Sequence, residues 1–163
     1  MNDPRQEWST PSDFWKAIAR EYGPTIDVCA RANNAKCLEF ISPEEDALAE
    51  GTSWLSAKHR VAWCNPGFSN PRPWIEKAIS EIVRFNSRDA TVLVLGLVSP
   101  SAEWWRIAEQ AALEILLIGG RRIQFDPAEG VTRSSNAREN ALFVFRRRMR
   151  PSTIYTWYWA DEG

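Results

Sequence analysis

A single α/β domain with a mostly parallel sheet and an antiparallel end is the fold class this sequence predicts. Three observations lead there. The chain has 163 residues, 44% hydrophobic and 25% charged, a balance that suits one globular domain with a real core. Continuously apolar runs such as 91–98 (TVLVLGLV) read as strands covered on both faces. These runs alternate with amphipathic helical patterns along most of the chain, whereas the last apolar runs follow one another with no helix between them, which predicts an antiparallel C-terminal strand.

Each element has a local signal. Thr10 or Ser12 can cap a helix and Pro11 suits its first turn; Phe14, Trp15, Ile18 and Tyr22 then recur at helical spacing until Gly23-Pro24 stops it. Residues 25–30 form a short apolar run with Asp27 inside it. Residues 31–53 are loop-rich, strand-like only at 37–41, and carry the acidic cluster Glu44-Glu45-Asp46. An apolar strand at 60–64 ends abruptly in Asn65-Pro66-Gly67-Phe68-Ser69-Asn70-Pro71. Pro71 or Pro73 opens a second helix with Trp74, Ile75, Ala78, Ile79, Ile82 and Val83 along one face. After the strand at 91–98, Ser99-Pro100-Ser101 starts a third helix carrying Trp104, Trp105, Ile107, Ala108 and Ala111. Strands are expected at 113–118, ended by Gly119-Gly120, at 123–125 and at 141–146, with a polar loop over 126–139. Residues 1–150 read as one domain and 151–163 as a C-terminal tail or edge element.

Composition narrows the chemistry. No run approaches the roughly 18 apolar residues that cross a bilayer, and the polar start lacks the apolar core of a secretory signal, so the expected location is the cytoplasm with no membrane partner. Cys29, Cys37 and Cys64 are odd in number and form no CxxC pair, which suggests neither a disulfide framework nor a zinc site. His59 is the single histidine, so a multi-histidine metal centre or a histidine base is not expected, and no metal is called for. The net charge is only -1, yet residues 121–150 hold eight arginines against Asp126, Glu129 and Glu139. Arginine suits forked contacts with phosphate and guanine, so this segment permits a polyanionic partner that the whole-chain charge would discourage. A solvated basic edge explains the same residues without a partner.

The strongest local signal is the tetrad Asn65-Pro66-Gly67-Phe68, because ligands of open α/β sheets bind beyond the carboxyl ends of strands. An exocyclic amino group on a purine or an amide is a poor nucleophile, its lone pair being delocalised into the adjoining π-system. The Asn65 side-chain oxygen and the Pro66 carbonyl can each accept one N–H, steering the nitrogen toward a tetrahedral geometry that exposes the lone pair. Gly67 allows close backbone approach, and Phe68 offers a ring for stacking a planar base. The same four residues also make an ordinary turn.

Taken in order, further pieces point to one family. They are Trp8-Ser9-Thr10-Pro11 with Phe14, Ile26-Asp27-Val28-Cys29-Ala30, Asn34-Ala35-Lys36-Cys37 with Phe40, and Glu45-Asp46-Ala47-Leu48 with Trp54. Then come Trp63 to Asn70, Trp74-Ile75-Glu76-Lys77-Ala78, and Gly120-Arg121-Arg122-Ile123-Gln124-Phe125. With these pieces the chain resembles the phage and prophage DNA N6-adenine methyltransferase (Dam) family from about Trp8 to Phe145. Where the family's usual tetrad is Asn-Pro-Pro-Tyr, this chain has Gly67 and Phe68, and the glycine-rich loop common in such sites is absent after Asp27.

The resemblance implies a trimmed Rossmann-like methyltransferase fold with S-adenosylmethionine as methyl donor and adenine in double-stranded DNA as acceptor. By the same likeness, Asn65, Pro66, Gly67 and Phe68 form the catalytic tetrad, and Trp8, Thr10, Pro11, Asp27, Cys29, Ala30, Asp46 and Asn65 border the donor. DNA contacts are expected from Ser69, Asn70, Arg121, Arg122, Arg133, Ser135, Asn136 and Arg138, and the host compartment is a bacterial cytoplasm. A chain this short is expected to leave little room for a separate recognition domain, so target specificity should come from short loops, be modest, or depend on a homodimer. Two alternatives share these residues: a methyltransferase acting on RNA adenine or a glutamine amide, and a catalytically weak nucleic-acid-binding module.

Overall fold

The computed structural model describes residues 8–127, 130 and 138–160. Among the described residues, three helices and seven strands build three layers. Helix α1 (Ser12–Tyr22) leads into β1 (Ile26–Asp27) and β2 (Glu39–Phe40), and a one-turn 3-10 helix (Pro43–Glu45) follows. Then come β3 (Val61–Cys64), α2 (Arg72–Phe85), β4 (Thr91–Leu97), α3 (Glu103–Ala111), β5 (Glu114–Ile118), β6 (Asn140–Arg146) and β7 (Thr153–Trp157).

The alternation of side chains along β4 explains the layering. All seven of its residues are buried; Leu93 and Leu95 pack with Phe14 and Ile18 of α1 on one face, and Val92 and Val94 pack with Ile75, Ala78, Trp105 and Ala108 of α2 and α3 on the other. Neighbouring β3 repeats the pattern, with Trp63 on the α1 side and Ala62 and Cys64 on the α2–α3 side. Helix α1 stops where expected, Gly23 taking the left-handed conformation at φ 61° that closes a helix C-terminus.

The sheet runs β2-β1-β3-β4-β6-β5-β7. Among the described residues every strand pairing is parallel except those of β6, which runs antiparallel to β4 and β5 on either side of it. The antiparallel strand is thus inserted within the sheet, and the segment after Met149 supplies the edge strand β7, parallel to β5. From β1 the chain steps outward to β2 and then returns to β3 on the other side of β1. The carboxyl ends of β1 and β3 therefore flank the point where the winding reverses, the position at which open α/β sheets hold their ligands.

Two local expectations differ from the structure. The apolar run at 25–30 pairs as a strand only over Ile26–Asp27, because the Asp27 carboxylate accepts the N–H groups of Cys29 (3.2 Å) and Lys36 (3.0 Å) and gathers the following loop around itself. Residues 123–125 form no strand. Ile123 and Phe125 instead bury their side chains in the α1-side core, and Asp126 makes an isolated antiparallel bridge with Ser9 that pins the N-terminal segment across the sheet end.

Candidate active site

Asn65 sits directly beyond β3, on a strand whose last three residues are fully buried. Its side-chain nitrogen donates to the Thr10 hydroxyl at 3.0 Å. Thr10 is itself 2% exposed and is held by the Ser9–Asp126 bridge on one side and the start of α1 on the other. This bond fixes the amide's orientation. With the nitrogen committed to Thr10, Oδ1 points its lone pairs elsewhere, which is what an acceptor for a ligand N–H requires. Pro66 is buried, Gly67 and Phe68 are half-buried, and Ser69 and Asn70 are exposed, so the chain climbs from core to surface within six residues.

Three hollows meet around this loop. The smallest, about 40 Å³, lies at the switch point and is bordered by Trp8, Thr10, Asp27, Cys29, Trp63 and Asn65. The indole N–H groups of Trp8 and Trp63 are buried with no acceptor among the described residues, although such donors ordinarily find one. A second cavity, about 370 Å³, opens beside it between Cys29, Ala30, Asp46, Ala47, Gly67 and Trp74. The third, also about 370 Å³, lies across the loop between Phe68, Asn70, Leu97, Ser99, Trp104 and Arg138. Ser69 and Asn70 border both larger cavities, so residues 67–70 form the partition between them.

The electrostatics differ along this arrangement. Burial pushes the Asp27 carboxyl above its ordinary range, while the backbone N–H groups of Lys36 and Cys29 oppose that rise. Burial and the nearby Asp27 push the Cys29 thiol up to about 12, so it lines the site as a neutral group. Asp46 is exposed and adopts a left-handed backbone (φ 51°) uncommon for a residue with a side chain, its carboxylate accepting the Leu48 N–H at 3.1 Å. Phe68 meets Phe125 edge to face, with centroids 5.6 Å apart, which fixes the ring at the mouth of the third cavity.

The expected site residues fall into groups. Thr10, Asp27, Cys29 and Asn65 come together with Trp8 around the smallest hollow; Ala30 and Asp46 line the neighbouring cavity. Pro11 is buried beside Thr10 as the N-terminal flank of α1. Arg138 borders the Phe68 cavity and donates to Ser99 at 3.3 Å. Arg121 and Arg122 follow β5 at the same end of the sheet, Arg121 paired with Asp13 at 2.5 Å and lying 4.8 Å from the Trp159 ring, Arg122 paired with Glu139 at 2.8 Å. Arg133, Ser135 and Asn136 lie outside the described residues. Arg146 belongs to the opposite end, where the antiparallel register sets it against Thr91. Trp104, which helical spacing alone places on a packing face of α3, lines the Phe68 cavity; its place in the chain soon after the carboxyl end of β4 is the sequence signal for that position.

A family model described as DNA N-6-adenine-methyltransferase (Dam) matches residues 1–161. The chain belongs to this family. Similar proteins include the DNA N-6-adenine-methyltransferase of Haemophilus phage HP1 (strain HP1c1), 35% identical over 143 residues that cover 85% of this chain and 77% of that protein. The DNA N-6-adenine-methyltransferase of Escherichia phage T1 is 30% identical over 139 residues, 85% of this chain, which spans about half (53%) of the T1 protein. Membership of the Dam family makes the chain a methyltransferase directed at DNA adenine, and the family's chemistry requires a methyl donor of the S-adenosylmethionine type. No helix among the described residues is long and apolar enough to cross a membrane.

Proposed function

We propose that this Dam-family chain transfers a methyl group from S-adenosylmethionine to the N6 amino group of adenine in double-stranded DNA, with Asn65 to Phe68 as the catalytic loop. The observation that carries this reading is the Asn65–Thr10 hydrogen bond, which leaves the Asn65 carboxamide oxygen at the switch point as an acceptor. Asn65 Oδ1 and the Pro66 carbonyl each accept one N–H of the target amino group. Drawing both protons to one side localises the nitrogen lone pair on the other, and no strong base is needed beforehand, which agrees with a site remote from His59. After transfer the methylated amino group is strongly acidic and its extra proton passes to water.

The donor supplies an electrophilic methyl group when bound. The residues suit it: two orphaned indole donors and the Asp27 carboxylate match the carboxylate and ammonium of an amino-acid end, and the larger cavity beside Ala30 and Asp46 has room for a nucleoside. Trp8, Thr10, Asp27, Cys29 and Asn65 accordingly border the amino-acid end, with Pro11 next to Thr10 in the chain and Ala30 and Asp46 at the nucleoside. The proposed chemistry invokes no metal.

An adenine in duplex DNA must be extruded to reach Asn65, at a cost of a few kcal/mol. The Phe68 cavity across the partition is the fitting destination, with Phe68 against the base. Ser69, Asn70, Arg121, Arg122, Arg133, Ser135, Asn136 and Arg138 then grip the flanking DNA, consistent with those that are described lying at the carboxyl end of the sheet. Exposed ion pairs such as Arg121–Asp13 contribute little, about 1 kcal/mol or less, and exchange readily for phosphate. We read residues 1–150 as one Rossmann-like methyltransferase domain, with 151–163 its edge element, working in the cytoplasm of a bacterial host. The open edge of β7, with Ile154 and Tyr155 exposed, is where a second copy would pair in a homodimer. Family membership favours DNA adenine over RNA adenine or a glutamine amide, which share the same nitrogen chemistry. Plasmid DNA from a methylation-deficient host expressing the chain is expected to carry N6-methyladenine at a defined sequence; unmodified plasmid from a host making soluble protein would contradict the reading.

A further inference from the structure

Between the 3-10 helix and β3 the chain crosses 46–60 with no helix or strand, so the backbone polar groups of this strap cannot be satisfied by a regular ladder. The face of α2 meets them with side chains. Glu81, 2% exposed, accepts the N–H groups of Trp54 (2.8 Å) and Leu55 (2.9 Å) on one carboxylate oxygen. Arg84 pairs with Glu81 at 2.7 Å and donates to the Leu55 carbonyl at 2.6 Å. One turn earlier, Lys77 Nζ donates to the carbonyls of Thr52 (2.5 Å) and Ala49 (3.2 Å) and lies 3.7 Å from Glu81. The strap then folds back on itself, the Trp54 indole donating to the Ala47 carbonyl at 2.9 Å and its ring stacking on Trp74.

The far end of this strap is a wall of the cavity assigned above to the donor's nucleoside: Asp46, Ala47 and Leu48 line it from one side and Trp74 of α2 from another. A buried carboxylate is costly to retain, and an apolar residue of similar volume would hold a helix to a core equally well, so the charge has its use in what it holds. We infer that Lys77 and Glu81 are positioning residues for the methyl donor, fastening the strap to α2 so that Asp46 to Leu48 stand in binding position before the donor arrives. The inference rests on the donor reading of that cavity. Among the described residues their hydrogen bonds and ion pairs go to the strap and to α2, not to the Asn65 loop, so their loss acts on donor affinity and leaves the transfer step alone.

If an unfastened strap holds its competent position about a tenth of the time, apparent donor affinity falls about tenfold. The test is calorimetry with S-adenosylmethionine on wild type, Lys77→Met and Glu81→Gln. Single-turnover transfer at saturating donor and hydrogen exchange over 49–55 are measured alongside. Ile79→Ala, on the same helix away from the strap, controls for plain destabilisation. The inference expects donor Kd raised about tenfold in both strap variants, saturated rate and DNA affinity within about twofold of wild type, and faster exchange at 49–55. Kd within about twofold of wild type in a folded Lys77→Met, or Ile79→Ala raising Kd as much, overturns it. Should Lys77→Met not fold, Glu81→Gln alone decides by the same limits. Failure of wild type itself to bind donor refutes the donor reading and the inference together, whereas tight binding by all variants refutes the inference alone.

Discussion

At the scale of single residues the proposed role of Asn65 depends on the hydrogen bond that commits its side-chain nitrogen to Thr10. Asn65→Asp replaces the Nδ2 donor to Thr10 with a second acceptor and adds a negative charge, so transfer is expected to fall by about two orders of magnitude or more, as when one preorganised polar contact is lost elsewhere. Single-turnover methylation with donor binding measured separately checks this; a rate near wild type would show that the amide's orientation is immaterial. Phe68→Ala removes both the proposed stacking face and the contact with Phe125. Its expected cost to transfer is about 1–3 kcal/mol, and an unchanged rate would place the base elsewhere. The loop that follows β3 was legible in the sequence because Asn-Pro-Gly after an apolar run is a local pattern. The Thr10 contact was not, since it joins positions 55 apart through tertiary packing, and Trp104 was missed because aromatic residues at helical spacing ordinarily mean core.

At the scale of elements, β4 and β6 were readable as strands because long fully buried strands leave continuous apolar runs. The two-residue strands β1 and β2 leave almost no such signature, and the strap over 46–60 leaves none, being held by buried charge from α2 rather than by its own pattern. That anchoring has a pH signature. Burial raises the Glu81 pKa, but Arg84 and the Leu55 and Trp54 amides outweigh it and hold the carboxyl below its ordinary range. A carboxyl whose folded pKa is depressed contributes stability that is full above its unfolded pKa of about 4.3 and is lost as pH falls through the folded value. Denaturant titrations from pH 6 down to pH 3 are therefore expected to show a steeper loss in wild type than in Glu81→Gln; parallel curves would remove Glu81 from the account. At the sheet edge, a Cβ added to Gly119 would stand 2.3 Å from the Thr156 methyl, so Gly119→Ala is expected to destabilise the chain by about 1–3 kcal/mol through the β5–β7 contact. An unchanged denaturation midpoint would contradict that packing.

At the scale of the whole molecule, the nearly neutral charge conceals a division between the two ends of the sheet. Arg121, Arg122 and Arg138 stand at the carboxyl end with the Asn65 loop, while Arg146 to Arg150 stand toward the other end, where Arg148 bonds the Gln110 carbonyl and Arg150 pairs with Glu114. The sequence placed all these arginines in one segment; only the antiparallel course of β6 separates them. Replacing Arg121 and Arg138 by Glu is expected to weaken DNA binding and flatten its salt dependence, each lost phosphate contact reducing the log-log slope by about 0.9. The same change at Arg147 and Arg148 should leave the slope nearly unaltered, and the reverse result would move the DNA to the opposite end. The proposed role of Asn65 is to activate an adenine amino group for methylation. Its most direct test is transfer of labelled methyl from S-adenosylmethionine to adenine-containing duplex DNA by wild type and Asn65→Ala, with donor affinity confirmed equal in both. N6-methyladenine is expected from wild type and background incorporation from Asn65→Ala; equal incorporation by the two would refute activation by Asn65.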